Sequence, residues 1–595
     1  MQDFLGMVPS RDFTLLPDNA ASYSRNTFLY GGSIQGFSSS SIVRTLTNSN
    51  AASVYRIPLG SPLDFGNSTW IESTDPYTNI IRAPVTQDTF KRYYIFSPST
   101  VPSYSPLTDI QANTARLKLG IPTPTQLPSV STIAPVPSSS NTNTTSITGS
   151  DGTTTTTTSP VTETRSYVYT YVSMYGEEGA PSPPRLVTAQ VQSTYVISVT
   201  PPTAVMNSGR RISKIRIYRT ITDAAGYANY YLVTDLPVAT TTFQDTLLDS
   251  SVSANNILES GTWTPPPDGL QGCVALANGI LAGWTNEKEI WFCEPYRPHA
   301  WPAAYSISVD YKIVGLGVLG TSLVIMTEGN PYICTGITPS SMSLSKIPAH
   351  EPCLSRSSIV SAPDGVYYAS QNGLIQVTLG GTQNVTDSFI TRQDWAGYGP
   401  SNFVSARYSS AYITFSKNTN LPNSPTDNGF IIDPSSSNMI FNYLKFNSPV
   451  KNVVQDETAG NVFIIADGKV YNWDAPEATT KFPYVWRSKV FQFPFKQQFV
   501  AALIYFDVPS SVTISPTDAT RNTAQPQNFN PATQYFVFRV YADDRLILTR
   551  EVQKSGEIIQ MPSGFKSNFW QFEVEGQVVI SNIQVATSIK ELGAV

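Results

Sequence analysis

The 595-residue chain is poor in the residues that do chemistry. It has two histidines, four cysteines and only 14 % charged residues, against roughly 25 % in an average soluble protein. Cys273, Cys293, Cys334 and Cys353 are far apart and form no C-x-x-C pair. A tetrahedral metal site draws on Cys and His at close paired spacings, so none is expected, and the thiols are expected to be reduced and buried as small hydrophobes. A catalytic triad has two candidate bases. His299 lies in Tyr296–Trp301 (YRPHAW) and His350 in Pro348–Pro352 (PAHEP). Both are loop histidines hemmed by prolines, and no G-x-S-x-G nucleophile elbow accompanies either.

Cations are not clustered. Arg210, Arg211, Lys214 and Arg216 are the densest group in a chain of net charge −5. A tight grip on nucleic acid needs clustered cations to displace counterions, so it is not expected. No apolar run approaches the ~20 residues of a membrane-spanning helix. Met1–Ser10 has neither the basic nor the apolar region of a secretory leader. A soluble product of a reducing cytoplasm is the expectation.

What is abundant is the material of β-structure: 31 Tyr, 28 Phe, 45 Pro and 36 Gly. Four stretches repeat one pattern of turn, apolar strand, turn and strand. They are Gly272–Trp291 (GCVALANGILAGWTNEKEIW), Gly320–Tyr332 (GTSLVIMTEGNPY), Ala362–Val377 (APDGVYYASQNGLIQV) and Thr458–Trp473 (TAGNVFIIADGKVYNW). Repeated small antiparallel sheets are the signature of a β-propeller, a scaffold more often than a catalyst. The expected fold is all-β, a propeller built from N-terminal and central to C-terminal segments.

Five segments are expected. Residues 1–125 form an N-terminal β segment contributing to the propeller, with strands at Ser53–Pro58 and Phe90–Phe96 and a stop at Leu117–Pro124. Residues 126–161 form a Ser/Thr-rich linker containing the unbroken run Thr153–Thr158, expected to be an exposed or mobile connector. Residues 162–262 alternate with period two at Ser166–Tyr175, Thr194–Thr200 and Ile212–Thr220, then at Tyr230–Thr234 and Thr241–Asp245. They are expected to be an inserted sandwich of the immunoglobulin or fibronectin type III kind in permuted order. Residues 263–499 hold the propeller blades. Residues 500–595 are a last β segment that supplies the final sheet or an appended sandwich.

Three motifs are weighed for chemistry. Gly315–Gly320 (GLGVLG) matches the dinucleotide fingerprint literally. The following Thr321–Thr327 reads as a strand, however, so no helix N-terminus faces a phosphate, and residues 336–343 hold no carboxylate. Glu287, Glu289 and Glu294 beside Trp284 and Trp291 suit a glycosidase only if brought together in space, and Asn286–Lys288 reads as a hairpin turn. Asn384-Val385-Thr386 matches a glycosylation sequon and carries little weight without a leader. No catalytic, cofactor-binding or metal-binding residue is assigned, and the chain is expected not to be an enzyme.

The stretch from Leu270 to Trp395 resembles the tail nozzle proteins of short-tailed bacteriophages, also called tail hub or tail tubular proteins. The residues carrying the resemblance are Val274–Trp284 (VALANGILAGW), Glu289–Trp301 (EIWFCEPYRPHAW), Asp310–Gly317 (DYKIVGLG), Leu323–Tyr332 (LVIMTEGNPY) and Ser357–Ser370 (SSIVSAPDGVYYAS) with Gly373–Leu374. Phe90–Phe96, Leu117–Pro124 and an Ig-like insertion are also similar to that family. The resemblance implies a structural virion protein: a homohexameric ring at the distal end of a short tail, synthesised in the host cytoplasm. It further implies docking on the tail adaptor ring, attachment of tail fibres or spikes, and a gated lumen through which genomic DNA passes without tight binding. The residues of the gate and the fibre-docking surface are not identified by it. The alternative is a carbohydrate-binding or carbohydrate-degrading tail component that recognises a receptor, with Trp284, Trp291, Trp301 and Tyr296 as an aromatic platform.

Overall fold

The computed structural model describes residues 1–29, 31–85, 87–222, 228–434, 440–508, 525, 529–532, 534–564 and 566–592. The chain divides into two compact units, Met1–Thr78 with Tyr311–Cys334 and Leu344–Val595, and Asn79–Asp310 with Thr335–Ser343. Both are built almost wholly of antiparallel sheets.

In the first unit, four-stranded meanders follow one another along the chain. One is Ile313–Leu319, Ser322–Thr327, Tyr332–Thr335 and Ser343–Lys346, and the next is Val360–Ala362, Gly365–Ala369, Leu374–Thr378 and Gly381–Asn384. Phe403–Tyr408, Ala411–Ser416, Gly429–Asp433 and Ile440–Leu444 form a third, and Asn452–Asp456, Asn461–Ala466 and Lys469–Asn472 begin a fourth. That fourth sheet is completed by Ser41–Thr45, which pairs antiparallel with Lys469–Asn472. The first strand of each meander lies beside the first strand of the next, as the inner strands of successive propeller blades do. Three of the four repeats read from the sequence, Gly320–Tyr332, Ala362–Val377 and Thr458–Trp473, fall on hairpins of these meanders.

Local chemistry explains the tight turns. Ala466 pairs with Lys469 across Asp467-Gly468, whose φ angles are 49° and 67°. Asp-Gly with both φ positive is the two-residue turn that matches strand twist. Gly315 and Gly317 lie inside the strand Ile313–Leu319. A Cβ on Gly315 would sit 2.3 Å from Ile359 Cδ1, and one on Gly317 2.5 Å from Val366 Cγ1. These glycines therefore let one blade close on the next, and GLGVLG is a packing device here.

The third meander continues into a ten-stranded sheet. Ala21–Arg25 joins it, parallel to Ile440–Leu444 and antiparallel to Tyr484–Ser488. Ser567–Gly576, Phe536–Ala542 and Arg545–Val552 follow, with Phe491–Gln497 on Ser567–Gly576. Ala501–Asp507 lies between Ile558–Gln560 and Val579–Ala586 in a separate sheet of three. Residues 500–595 are thus divided between the ten-stranded sheet and that sheet of three. Phe538, Val540, Trp570, Phe572 and Val574 alternate into one core with Ile504, Ile559 and Ile583.

In the second unit, Asn79–Arg82, Arg92–Ser97, Thr100–Pro106 and Leu117–Lys118 form one meander, and Gln271–Ala275, Leu281–Thr285, Glu289–Phe292 and Ile307–Ser308 another. Tyr94, Phe96 and Tyr104 of one share a core with Leu281, Cys293 and Trp301 of the other. Between them in sequence stands a two-sheet sandwich. Ser129–Ile133, Thr194–Ser198 and Thr242–Asp245 make one sheet, and Arg185–Gln190, Thr162–Ser173, Ile212–Thr222 and Ala228–Pro237 the other. Tyr167, Tyr169, Tyr195, Ile197, Ile215 and Ile217 fill the space between them.

One expectation needs correction. The Ser/Thr-rich stretch is not a plain connector: Ser129–Ile133 is a strand of the sandwich, and Thr142–Thr148 pairs with Thr154–Pro160 as an exposed hairpin. Threonine is β-branched and favours extended backbone, which a reading on low complexity alone discounts.

Candidate functional site

The side chains weighed for catalysis are dispersed and mostly engaged. His299 is buried, with its ring edge-on to Trp263 at 5.9 Å. Its Nε2 has no hydrogen-bond partner. Burial, with Arg297 and Arg92 nearby, pushes its pKa down to about 3, so the imidazole is neutral. His350 is exposed. All four cysteines are free thiols and buried. Burial pushes Cys293, Cys334 and Cys353 up to about 12, the reverse of an activated nucleophile. No group of three or more His, Cys, Asp or Glu side chains placed to hold a metal occurs among the described residues.

The acidic and aromatic cluster does not assemble into an open cleft. Trp284 and Trp301 are buried, and Trp301 Nε1 donates to the Pro298 carbonyl at 2.7 Å. Glu289 accepts from Asn286 across its own turn at 3.1 Å. Only Tyr296 of the four aromatics is largely exposed, at 52 %. It adopts φ 58° and lies over Gly279, where a Cβ would meet its ring at 2.4 Å. The Asn384 amide of the sequon is occupied locally: Nδ2 donates to the Asn372 carbonyl, and Oδ1 accepts from Thr386.

Each unit holds ion pairs of its own. The densest cationic group spends its charges inside the second unit. Arg211 meets Asp109 at 2.7 Å, Arg216 meets Glu178 at 2.7 Å and Asp235 at 3.0 Å, and Lys214 meets Asp235 at 3.3 Å. Arg92 meets Glu177 at 2.5 Å and Asp88 at 3.1 Å. Burial nonetheless raises the Glu177 pKa, because desolvation outweighs the Arg92 charge. Inside the sandwich, Arg219 is fully buried against Asp245 at 3.4 Å and Asp249 at 3.0 Å, and Tyr167 donates to Asp245 at 2.8 Å. In the first unit, Arg56 lies 2.7 Å from Asp456, tying Ser53–Pro58 to Asn452–Asp456. Across the ten-stranded sheet, Glu573 takes both Arg487 and Arg539, Arg539 reaches Glu575 at 2.7 Å, and Arg25 meets Asp427 at 3.8 Å. Such paired charges fix strand neighbours and registry.

No family model matches the chain, and no curated protein matches it. Solved structures similar to it include BBS1N in complex with ARL6DN, at 10 % identity and TM-score 0.24 over 47 % of this chain and 86 % of that one. The Pan2 WD40 domain of Neurospora crassa is similar at 10 % identity and TM-score 0.24, over 44 % and 86 %. BamB of Moraxella catarrhalis is similar at 11 % identity and TM-score 0.23, over 47 % and 90 %. Similarity at this level says nothing of function, and the blade architecture rests on the strand pairing above.

The groups turned outward are of another kind. Val136, Val205, Ile337 and Phe495 are each more than 75 % exposed. Phe495 belongs to Phe491–Gln497, whose ladder partner is Ser567–Gly576. Every strand residue of the Thr142–Thr148 and Thr154–Pro160 hairpin except Thr142 is exposed. The candidate functional surface is therefore one of strand edges and scattered apolar side chains, suited to protein contacts. Sequence reasoning passed over the hairpin, although Asp151-Gly152 between two threonine-rich runs is a recognised turn signal.

Proposed function

We propose that this chain is a non-catalytic structural subunit of a short phage tail, the nozzle ring through which DNA leaves. The observation that carries the reading is the coincidence of the nozzle-like residues with blade hairpins in unbroken order. Val274–Trp284 spans the first hairpin of its meander, Glu289–Trp301 the next strand and its buried Pro-His-Ala-Trp turn, and Leu323–Tyr332 and Ser357–Ser370 fall on the following two meanders. A two-sheet sandwich, which we take as the Ig-like module, interrupts the meanders between Leu117–Lys118 and Gln271–Ala275, where the resemblance calls for an insertion. The densest cationic group, with Arg211, Lys214 and Arg216 each paired to a carboxylate, also suits a wall past which DNA slides, since clustered phosphate contacts would retard the polymer. On this reading the chain is a homohexamer in the virion that docks on an adaptor ring and carries fibres or spikes.

The alternative, carbohydrate recognition, draws on Tyr296, an exposed aromatic in a left-handed backbone conformation. With Trp284 and Trp301 buried and Trp291 half-buried, Tyr296 is the one largely exposed ring of that platform and the reading is the weaker one. Native mass spectrometry and negative-stain imaging of the purified chain test the proposal. Rings of six with a central opening of DNA width are expected; a strict monomer at every concentration, also absent from purified tails as a ring, refutes it.

A further inference from the structure

The hairpin of Thr142–Thr148 and Thr154–Pro160 is a sheet waiting for another strand. Seven register pairs, from Thr142 with Pro160 to Thr148 with Thr154, make its ladder. Among the described residues, no other strand pairs with it. At ~3.3 Å per residue it projects roughly 23 Å. A lone two-stranded hairpin is marginal in water and needs a third strand or a packing face. This one buries no face, and what holds it locally is Ser146 to Thr156 at 3.2 Å and Thr148 to Thr154 at 3.0 Å, hydroxyl to hydroxyl. Its base is firmly set. Buried Asn141 donates to the Val136 carbonyl and accepts from Ser138 N, while Gln190 Nε2 donates to the Asn141 carbonyl and the Val161 and Val191 amides continue the ladder. The sandwich thus holds the ribbon out in a defined direction.

Exposed strand edges are normally blunted by charge, proline or a bulge. Here the two strands, TNTTSIT and TTTTTSP, carry no charged residue, their ladder has no register shift, and the one proline is terminal. We propose that the hairpin pairs edge to edge with a second copy of this chain, adding to the open edge of that copy's Ser129–Ile133. The occupant follows from charge and edge chemistry. An acidic or basic partner would find no opposite charge on the strands, whereas Ser129–Ile133 (SVSTI) is equally uncharged, mostly exposed, and terminal in its sheet of three. Threonine pairs across strands with threonine and serine favourably, so both sides of the joint are provided by one sequence. Hairpin of one copy on edge of the next is a head-to-tail contact, which closes into a ring when its rotation allows. The inference rests on the assembly reading above and supplies a joint for it.

The test uses the full chain. Thr157→Cys with Ser131→Cys, oxidised under mild conditions, is expected to give a ladder of covalent oligomers that neither single variant gives, the native thiols being buried. Thr155→Lys with Thr157→Lys keeps the hairpin but charges its edge, and is expected to lower the assembled fraction at least tenfold by native mass spectrometry with an unchanged circular dichroism spectrum. Assembly unaffected by the lysines, with no cross-link in the double-cysteine variant, overturns the joint and leaves the ring reading standing. A wild-type chain that stays monomeric at all concentrations overturns both.

Discussion

The neutral imidazole of His299 makes a quantitative case. The native group titrates near pH 3 against an ordinary value of 6.5, so between those limits the unfolded chain binds the proton that the folded chain refuses. Stability is then fully present above pH 6.5 and is lost as pH falls toward 3. Lowering the pH from 7.5 to 4.5 crosses two units of that window and removes roughly 3 kcal/mol at 1.36 kcal/mol per unit. Glu177 has the opposite sign. Its raised pKa means that the native state keeps a proton the unfolded state has shed, so it costs stability as pH rises past the carboxylate range. Comparing variants isolates the histidine. His299→Asn retains a polar atom for the hydrogen bond to the Glu178 backbone and gives up nothing at the unpartnered Nε2. The assay is hydrogen exchange of the amides in Arg92–Ser97 and Leu281–Thr285 at matched intrinsic rates, with urea unfolding alongside. A pH-independent packing loss of about 1–2 kcal/mol is expected in the variant, together with an acid slope flattened by roughly 3 kcal/mol between pH 7.5 and 4.5. Parallel pH profiles for wild type and variant would refute the reasoning.

Gly317→Val should cost about 1–3 kcal/mol in urea unfolding, because its Cβ would approach Val366 within 2.5 Å. Gly380→Ala, whose Cβ would meet nothing nearer than 3.6 Å, should be close to neutral. Arg219→Met leaves the buried Asp245 without its main cation, so the sandwich should lose about 3–5 kcal/mol. Arg216→Gln, at a side chain 29 % exposed, should cost no more than about 1 kcal/mol. Thiol titration with a soluble disulfide reagent at pH 8 should find no fast-reacting cysteine in the native chain and four after denaturation; a rapidly modified native thiol would show that the burial is wrong.

Legibility from sequence followed the range of the interactions. The hairpins at Gly272–Trp291 and Thr458–Trp473 are written locally, as apolar runs of strand length around Gly turns, and so is Ser53–Pro58, whose bounds match the strand residue for residue. Nothing local marks Ala21–Arg25 as the strand that joins Ile440–Leu444 to Tyr484–Ser488. A pairing partner more than four hundred residues away leaves no periodic trace. The same limit applies to the aromatic platform. Trp284, Trp291 and Trp301 are close in sequence, but the burial of Trp291 and Trp301 depends on the Tyr94, Phe96 and Tyr104 meander packed with them, and that of Trp284 on its approach to Gly272. The Thr153–Thr158 run is exposed as its composition implies, but composition alone does not show the ribbon that its backbone preference and the Asp-Gly turn favour.

The pairing of Ser41–Thr45 with Lys469–Asn472 imposes a schedule on the newborn chain. The early strand leaves the ribosome more than 420 residues before the one it binds, a delay of roughly 20–90 s at ~5–20 residues per second. Until then the fourth blade lacks an outer strand, and any nascent neighbour on the same message presents the identical vacancy. Exchange of that strand between chains is thus the characteristic error open to this protein, and slower translation would make it more frequent.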